Sequence, residues 1–239
     1  MIILHIETST NVCSIALSKD GNCIFEISNN EGLNHAAMLS PFIQKAIDFL
    51  KKNELKLDAV AVSGGPGSYT GLRIGVSTAK GLCFGYDIPL ITVSTLEILC
   101  IEALKKVEIE KEALLCPMID ARRMEVYTAL FTPSLEIKEE ITAKIMDENT
   151  FKKELENQPV YFFGNGSEKC KSILLHPNAR FIEGVEPLAK NMIPLAEKKF
   201  SKQEFSDVAY YEPFYLKEFQ ATIPKNKLNT TPQNTPQQK

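Results

Sequence analysis

The run Val60-Ala61-Val62-Ser63-Gly64-Gly65-Pro66-Gly67-Ser68-Tyr69-Thr70-Gly71-Leu72-Arg73-Ile74-Gly75 constrains this chain more than any other stretch. Ala59 to Val62 is a short continuous apolar run of the kind buried on both faces of a sheet, and it stops at glycines that permit a tight reversal. A helix start follows. Ser68 or Thr70 can offer an N-cap oxygen, and apolar positions then recur at Leu72, Val76, Ala79 and Cys83. A glycine turn at a helix N-terminus suits an anion, because free backbone N–H groups converge there. Both common phosphate patterns are nevertheless absent. Gly71 is followed by Leu72-Arg73 instead of a Lys-Ser/Thr pair, and Gly65-Pro66-Gly67-Ser68-Tyr69-Thr70 lacks the third glycine of a dinucleotide fingerprint.

From Ser68 to Tyr86 the only charges are Arg73 and Lys80, which share one narrow strip with Ser77, Phe84 and Tyr69 nearby. Gly71, Gly75, Thr78, Gly81 and Gly85 gather on one flank beside Ile74. Each interior glycine costs a helix about 1 kcal/mol relative to alanine, so close approach of another backbone has to offset the loss. That backbone is either the chain's own sheet or another chain. The preceding helix, capped by Asn34 and running to about Lys52, gives half its circumference to Met38, Leu39, Phe42, Ile43, Ala46, Phe49 and Leu50 with Ala36 and Ile47. Half a wheel is wider than a stripe that only faces a core. The two helices together predict packing on a sheet plus an external partner. Met38, Leu39, Phe42, Ala46, Leu72, Arg73, Ile74, Gly75, Val76 and Thr78 are the candidate interface residues, some of them shared with the internal core.

The chain of 239 residues is long enough for one large domain or two of about a hundred residues. With 27 basic against 30 acidic residues, nothing marks it as a strong nucleic-acid binder by itself. Cys13, Cys23, Cys83, Cys100, Cys116 and Cys170 lack C-x-x-C spacing and mostly sit in apolar runs, so they read as small buried hydrophobes in a reducing cytoplasm. No stretch reaches membrane-spanning length, and Met1 to Glu7 is too short and too soon interrupted for a signal peptide.

Strand-like runs at Ile2 to Glu7, Val12 to Ser18 and Cys23 to Ser28 open the chain, with Asp20-Gly21 as a hairpin signal. The helix from Asn34, the strand at 59–63, the glycine-rich helix and a strand at Ile88 to Val93 follow, making a right-handed βαβ unit. Ser94-Thr95-Leu96-Glu97 fits a capping box. The order then repeats: strands at Leu114 to Asp120, Glu125 to Phe131 and Ile137 to Ile145, a helix near Glu148 to Glu156, a strand at Val160 to Phe163, a helix from Ser167, a strand at Arg180 to Ile182, and a helix from Pro187 to Phe200. The expected fold is therefore α/β with two domains, 1–97 and 98–222, each a mixed sheet of three antiparallel strands followed by βα units. Residues 223–239 have a composition unable to form a core and are expected to be disordered.

That doubled order resembles the actin-like ATPase superfamily, in which two such domains close over a nucleotide. Within it, the block from Gly64 to Gly75, the opening Glu7-Thr8-Ser9-Thr10, and Ile119-Asp120-Ala121-Arg122-Arg123 with Glu125-Val126-Tyr127 are similar to the TsaB (YeaZ-like) family. The resemblance covers residues 1 to about 220. Its members are dimerisation subunits of the bacterial machinery that adds threonylcarbamoyl to adenosine at tRNA position 37. The resemblance implies a non-catalytic subunit that pairs with the catalytic subunit TsaD, meets TsaE within the complex, reaches tRNA only through that complex, and pairs with itself when alone. It also implies that no cofactor is required. Residual ATP or ADP binding would fall on Thr8, Ser9, Asp120, Gly164 and Gly166.

Departures from the catalytic relative carry as much information. TsaD has two metal-binding histidines four apart after the strand that follows its glycine-rich helix; the matching positions are Thr95 and Leu99. Its pair of adjacent aspartates is replaced by Asn11-Val12, and Lys217 stands where the family's terminal P-x-Y-x-R has arginine. His5, in an apolar strand, reads as a hydrogen-bonded core residue, while His35 and His176 lack a second ligand at metal spacing. There is no H-E-x-x-H and no G-x-S-x-G, which leaves a metallo-peptidase without its chemistry. The other alternative is an autonomous ATPase or carbamoyl-transferring enzyme working from the cleft. For Asp120 the competing reading is a salt-bridged turn.

Overall fold

The computed structural model describes residues 1–30 and 34–216. Lys217 and the 223–239 tail, expected to be disordered, lie outside the described residues. The first sheet is built from β1 (Ile2–Glu7), β2 (Cys13–Lys19), β3 (Asn22–Asn29), β4 (Ala59–Gly65) and β5 (Leu90–Ser94), in the order β3-β2-β1-β4-β5. The second comprises β6 (Leu114–Asp120), β7 (Glu125–Phe131), β8 (Ile137–Ile145), β9 (Val160–Phe163) and β10 (Ala179–Ile182), in the order β10-β9-β6-β7-β8. The first strand of each set pairs antiparallel with the second and parallel with the fourth. The repeated order read from the sequence is thus a repeated topology. Asp20 and Gly21 both have positive φ, 48° and 78°, as a tight hairpin with right-handed strand twist requires.

Two-residue periodicity divides each sheet into faces. Ile2, Leu4 and Ile6 of β1, with Ile15, Leu17, Val60 and Val62, face α1 (His35–Lys52) and α2 (Tyr69–Tyr86). The alternate face, with Ile3, Ala59, Ala61, Ile91 and Val93, is covered by Met192, Leu195 and Ala196 from the distant end of the chain, a 3₁₀ segment Ala189–Met192 running into an α-helix. Five helices are described: α1, α2, α3 (Thr95–Lys106), α4 (Lys152–Asn157) and α5 (Ile193–Ser201). α3 serves both sheets. Leu96, Leu99, Cys100 and Ala103 pack on the second sheet, while Ile98 and Ile101 join the cluster under the first. Each fully buried aliphatic side chain in these layers contributes about 1.5–3 kcal/mol.

Several local expectations need correcting. The helix foreseen from Ser167 is a single 3₁₀ turn, Glu168–Cys170, and α4 starts at Lys152 instead of Glu148. The helix from Pro187 divides into the 3₁₀ segment and α5. Asn34 takes the N-cap position of α1 but makes no side-chain cap bond. The capping box at α3 is half formed: the Glu97 carboxylate accepts from the Ser94 N–H, but the Ser94 hydroxyl is buried without a partner. Five of the six cysteines are buried as expected, whereas Cys23 is exposed. None of the described helices is long and apolar enough to cross a membrane.

Candidate functional site

The glycine-rich loop between β4 and α2 is a junction of three segments. Ser68 caps α2 by accepting from the Gly71 N–H at 3.2 Å, as the sequence suggests, and its own N–H donates to the Ser9 carbonyl at 2.7 Å. The Thr8 hydroxyl donates to the Gly71 carbonyl at 2.8 Å. A Cβ at Gly71 would collide with the Thr8 carbonyl oxygen, and one at Gly75 with the Thr8 hydroxyl. These two glycines let α2 lie against the β1–β2 turn. The other side of the loop is filled by Phe214: its N–H donates to the Gly64 carbonyl at 2.7 Å, and a Cβ at Gly65, where φ is +106°, would stand 2.7 Å from its carbonyl oxygen. The amides of Ser68 and Gly71 are therefore engaged internally, which leaves them no hydrogen to offer an anion.

Below the loop lies a sealed polar cluster. Glu7 is fully buried; one carboxyl oxygen accepts from the Ser9 N–H at 2.6 Å and the Ser63 hydroxyl at 3.0 Å, and the other has no hydrogen-bond partner. Burial pushes the Glu7 carboxyl up to about 7, against the hydrogen bonds from Ser9 and Ser63. Thr8 and Ser9, proposed from the resemblance as nucleotide contacts, have no exposed surface and serve this packing instead. His5 and His35 are likewise core residues. His5 Nε2 pairs with the Ser18 hydroxyl at 2.9 Å and His35 Nε2 with the Thr10 carbonyl at 2.7 Å, and burial pushes His5 down to about 3.

In the second half, Asp120 is half-exposed and ion-paired with Lys169, whose ammonium also donates to the Glu125 carbonyl at 2.6 Å. Its N–H donates to the Asn165 side-chain oxygen at 2.9 Å. This is the salt-bridged turn. Gly164 and Gly166 let the following turn press on Met118 and Ile119 of β6. Gly164 also borders a pocket of about 340 Å³ between that turn and residues 182–186, lined by Asn165, Ser167, Glu168, Glu183 and Glu186; Asp120 and Gly166 do not line it. Glu168 and Glu183 both pair with Lys171 at 2.6 Å, and burial raises the Glu186 carboxyl above its ordinary value.

The structure splits the candidate interface set. Leu39, Phe42, Ala46, Leu72, Gly75 and Val76 are buried in the chain's own core, because the first sheet is wide enough to cover most of the apolar half of α1. Met38, Ile74 and Thr78 are half-buried and Arg73 is exposed. The surface that remains continues along α2 through Ser77, Gly81, Phe84 and Gly85, all exposed. Phe84 is 85% exposed, and nothing lies within 4 Å of a Cβ placed on Gly81 or Gly85. Helical spacing puts these glycines on one flank with Gly71 and Gly75, but the inward pair packs on Thr8 and the outward pair faces away from the chain. Thr95 and Leu99 are buried, and no three His, Cys, Asp or Glu side chains converge among the described residues.

Comparisons with known proteins give the family of the chain. Residues 31–225 match the family model described as TsaD, tRNA N6-adenosine threonylcarbamoyltransferase. The chain is 31% identical to the tRNA threonylcarbamoyladenosine biosynthesis protein TsaB of Escherichia coli over 226 residues, covering 91% of this chain and 95% of that protein. It is also 31% identical to TsaB of Bacillus subtilis, over 73% of this chain and 75% of that one. The solved structure of YeaZ from Pseudomonas aeruginosa superposes with a TM-score of 0.75 at 24% identity, covering 90% of this chain and 99% of that chain.

Proposed function

The chain belongs to the TsaB family of tRNA threonylcarbamoyladenosine biosynthesis proteins, and from that premise we propose that it is a non-catalytic pairing subunit that supports the catalytic subunit TsaD. The observation that carries this reading is the outward stripe of α2. Gly81 and Gly85 each cost the helix about 1 kcal/mol, and a Cβ on either would meet no neighbouring element of the chain. Phe84 projects between them into solvent. A second helix crossing close to this stripe gives the glycines a purpose and covers the phenylalanine. Supporting it, the residues at the catalytic relative's metal positions, Thr95 and Leu99, offer one hydroxyl and no second donor. The same face forms a homodimer when TsaD is absent, and TsaE and tRNA are engaged through the assembled complex.

No cofactor is required in this reading. In the pocket beside Gly164, residual ATP or ADP would meet Glu168, Glu183 and Glu186, the first two paired with Lys171. The test is size-exclusion chromatography with light scattering on this chain mixed with TsaD. A single heterodimer peak is expected, lost on Gly81→Glu or Phe84→Glu while the variants keep the unmixed chain's thermal transition. Absence of any association by the unaltered chain removes the proposal.

A further inference from the structure

The segment after α5 returns across the first sheet and fastens onto α2. At its start, the Ser206 N–H donates to the Leu90 carbonyl at 2.8 Å and its hydroxyl pairs with Thr92 at 2.9 Å. The Asp207 carboxylate then accepts from the N–H groups of Ala209 and Tyr210, and the Tyr211 N–H closes one helical turn onto the Asp207 carbonyl at 2.9 Å. The carbonyls of Ala209 and Tyr211 lie at the end of this turn. The Lys80 ammonium, in the middle of α2, takes both, at 3.0 and 3.1 Å. Beyond Tyr211 the segment runs toward the start of α2. Phe214 bonds Gly64, and the Tyr215 ring lies 4.8 Å from the Tyr69 ring, over which the Arg73 guanidinium sits at 4.9 Å.

The two attachment points on α2, Tyr69 and Lys80, are eleven residues apart, about 16 Å of helix. A segment held over that length fixes the helix against rotation and sliding in a way that the apolar contacts beneath it, which are non-directional, do not. The glycines at 64 and 65 belong to the same arrangement: a Cβ on the first would collide with the Tyr211 hydroxyl, and on the second with the Phe214 carbonyl. We propose that residues 206–216 form a clasp that sets the pose of α2 for pairing, with Lys80 as its positioning residue. The inference rests on the pairing role proposed above.

Five forms of the chain test it: unaltered, ended after Leu216, ended after Phe205, Lys80→Ala, and Lys80→Arg as the conservative partner. Amide hydrogen exchange along α2 and the dissociation constant for TsaD are the readouts. Ending after Leu216 should change neither. Ending after Phe205 should speed exchange at residues 71–76 and weaken pairing, each by tenfold or more. Lys80→Ala should act in the same direction to a smaller extent and Lys80→Arg should restore both, a rescue that simple loss of stability would not give. If the form ended after Phe205 does not fold, the Lys80 pair decides. Unchanged exchange and affinity in Lys80→Ala, or in a folded form ended after Phe205, overturns the clasp. Failure of the unaltered chain to bind TsaD defeats the pairing role instead, while the exchange readout still judges the clasp.

Discussion

Glu7→Gln isolates the energetic effect of the sealed cluster beneath the glycine-rich loop. In the folded chain burial holds this carboxyl near 7, against an ordinary 4.5. Below pH 4.5 both folded and unfolded states carry the proton and the group is silent. Between 4.5 and 7 the unfolded state ionises while the folded state stays protonated, so Glu7 makes stability fall as pH rises. Above 7 both are ionised and the cost is complete, at about 3 kcal/mol from roughly 1.4 kcal/mol per tenfold change in proton affinity. His5 works in the opposite sense, because a folded value of about 3 makes stability fall as pH drops below 6.5. It is present in both proteins and cancels in their difference. Glutamine keeps an oxygen for the Ser9 N–H and the Ser63 hydroxyl but buries an amide where the unpaired oxygen was, which adds a constant cost of about 1–3 kcal/mol. The expected result, from urea unfolding at pH 5, 6, 7 and 8, is a difference between variant and parent that moves by about 2–3 kcal/mol in the variant's favour across that range. A difference that stays constant with pH would refute the assignment of a buried, protonated Glu7.

Other outcomes follow from the same coordinates. Gly81→Ala should raise folding stability by about 1 kcal/mol, because its Cβ meets nothing; differential scanning calorimetry of the two proteins checks this. Gly71→Ala should cost about 1–3 kcal/mol by overpacking, since its Cβ runs into the Thr8 carbonyl, and the same calorimetry measures it. Phe84→Glu should leave urea stability within about 0.5 kcal/mol while abolishing association with TsaD in the chromatographic assay. Asp120→Asn, which loosens a half-exposed ion pair with Lys169, should cost less than about 1 kcal/mol and leave pairing unchanged by calorimetric titration.

Much of the architecture was legible because it is written in short-range periodicity. The three-strand opening, the α1 and α2 boundaries, the Asp20-Gly21 hairpin and the Ser68 cap each depend on a few adjacent residues. Legibility failed where the outcome depends on how much room a distant element leaves. The apolar half of α1 was read as too broad for one core, yet Leu39, Phe42 and Ala46 are covered by the chain's own sheet. Periodicity reports which face is apolar and not how wide a surface awaits it. Thr8 and Ser9, polar and near glycines, looked available to a ligand; hydrogen bonds to residues about sixty positions away enclose them. The clasp left two traces in the sequence, the solitary lysine of a nearly uncharged helix and the Pro213-Phe214-Tyr215 run of the family's terminal motif. Residues 206–216 themselves have no repeating pattern from which an attachment could be read.

The double duty of α3 bears on how this molecule can move. With Leu96 and Leu99 pressed into one sheet and Ile98 and Ile101 into the layer beneath the other, the two halves share a common wall instead of meeting at a free hinge. Swinging them apart would strip one side of that wall of its oily contacts and expose the buried hydroxyls of Ser94 and Thr95 at its head. Jaw-like opening and closing, the gesture by which two-lobed proteins grip and release small molecules, is therefore expensive for this chain.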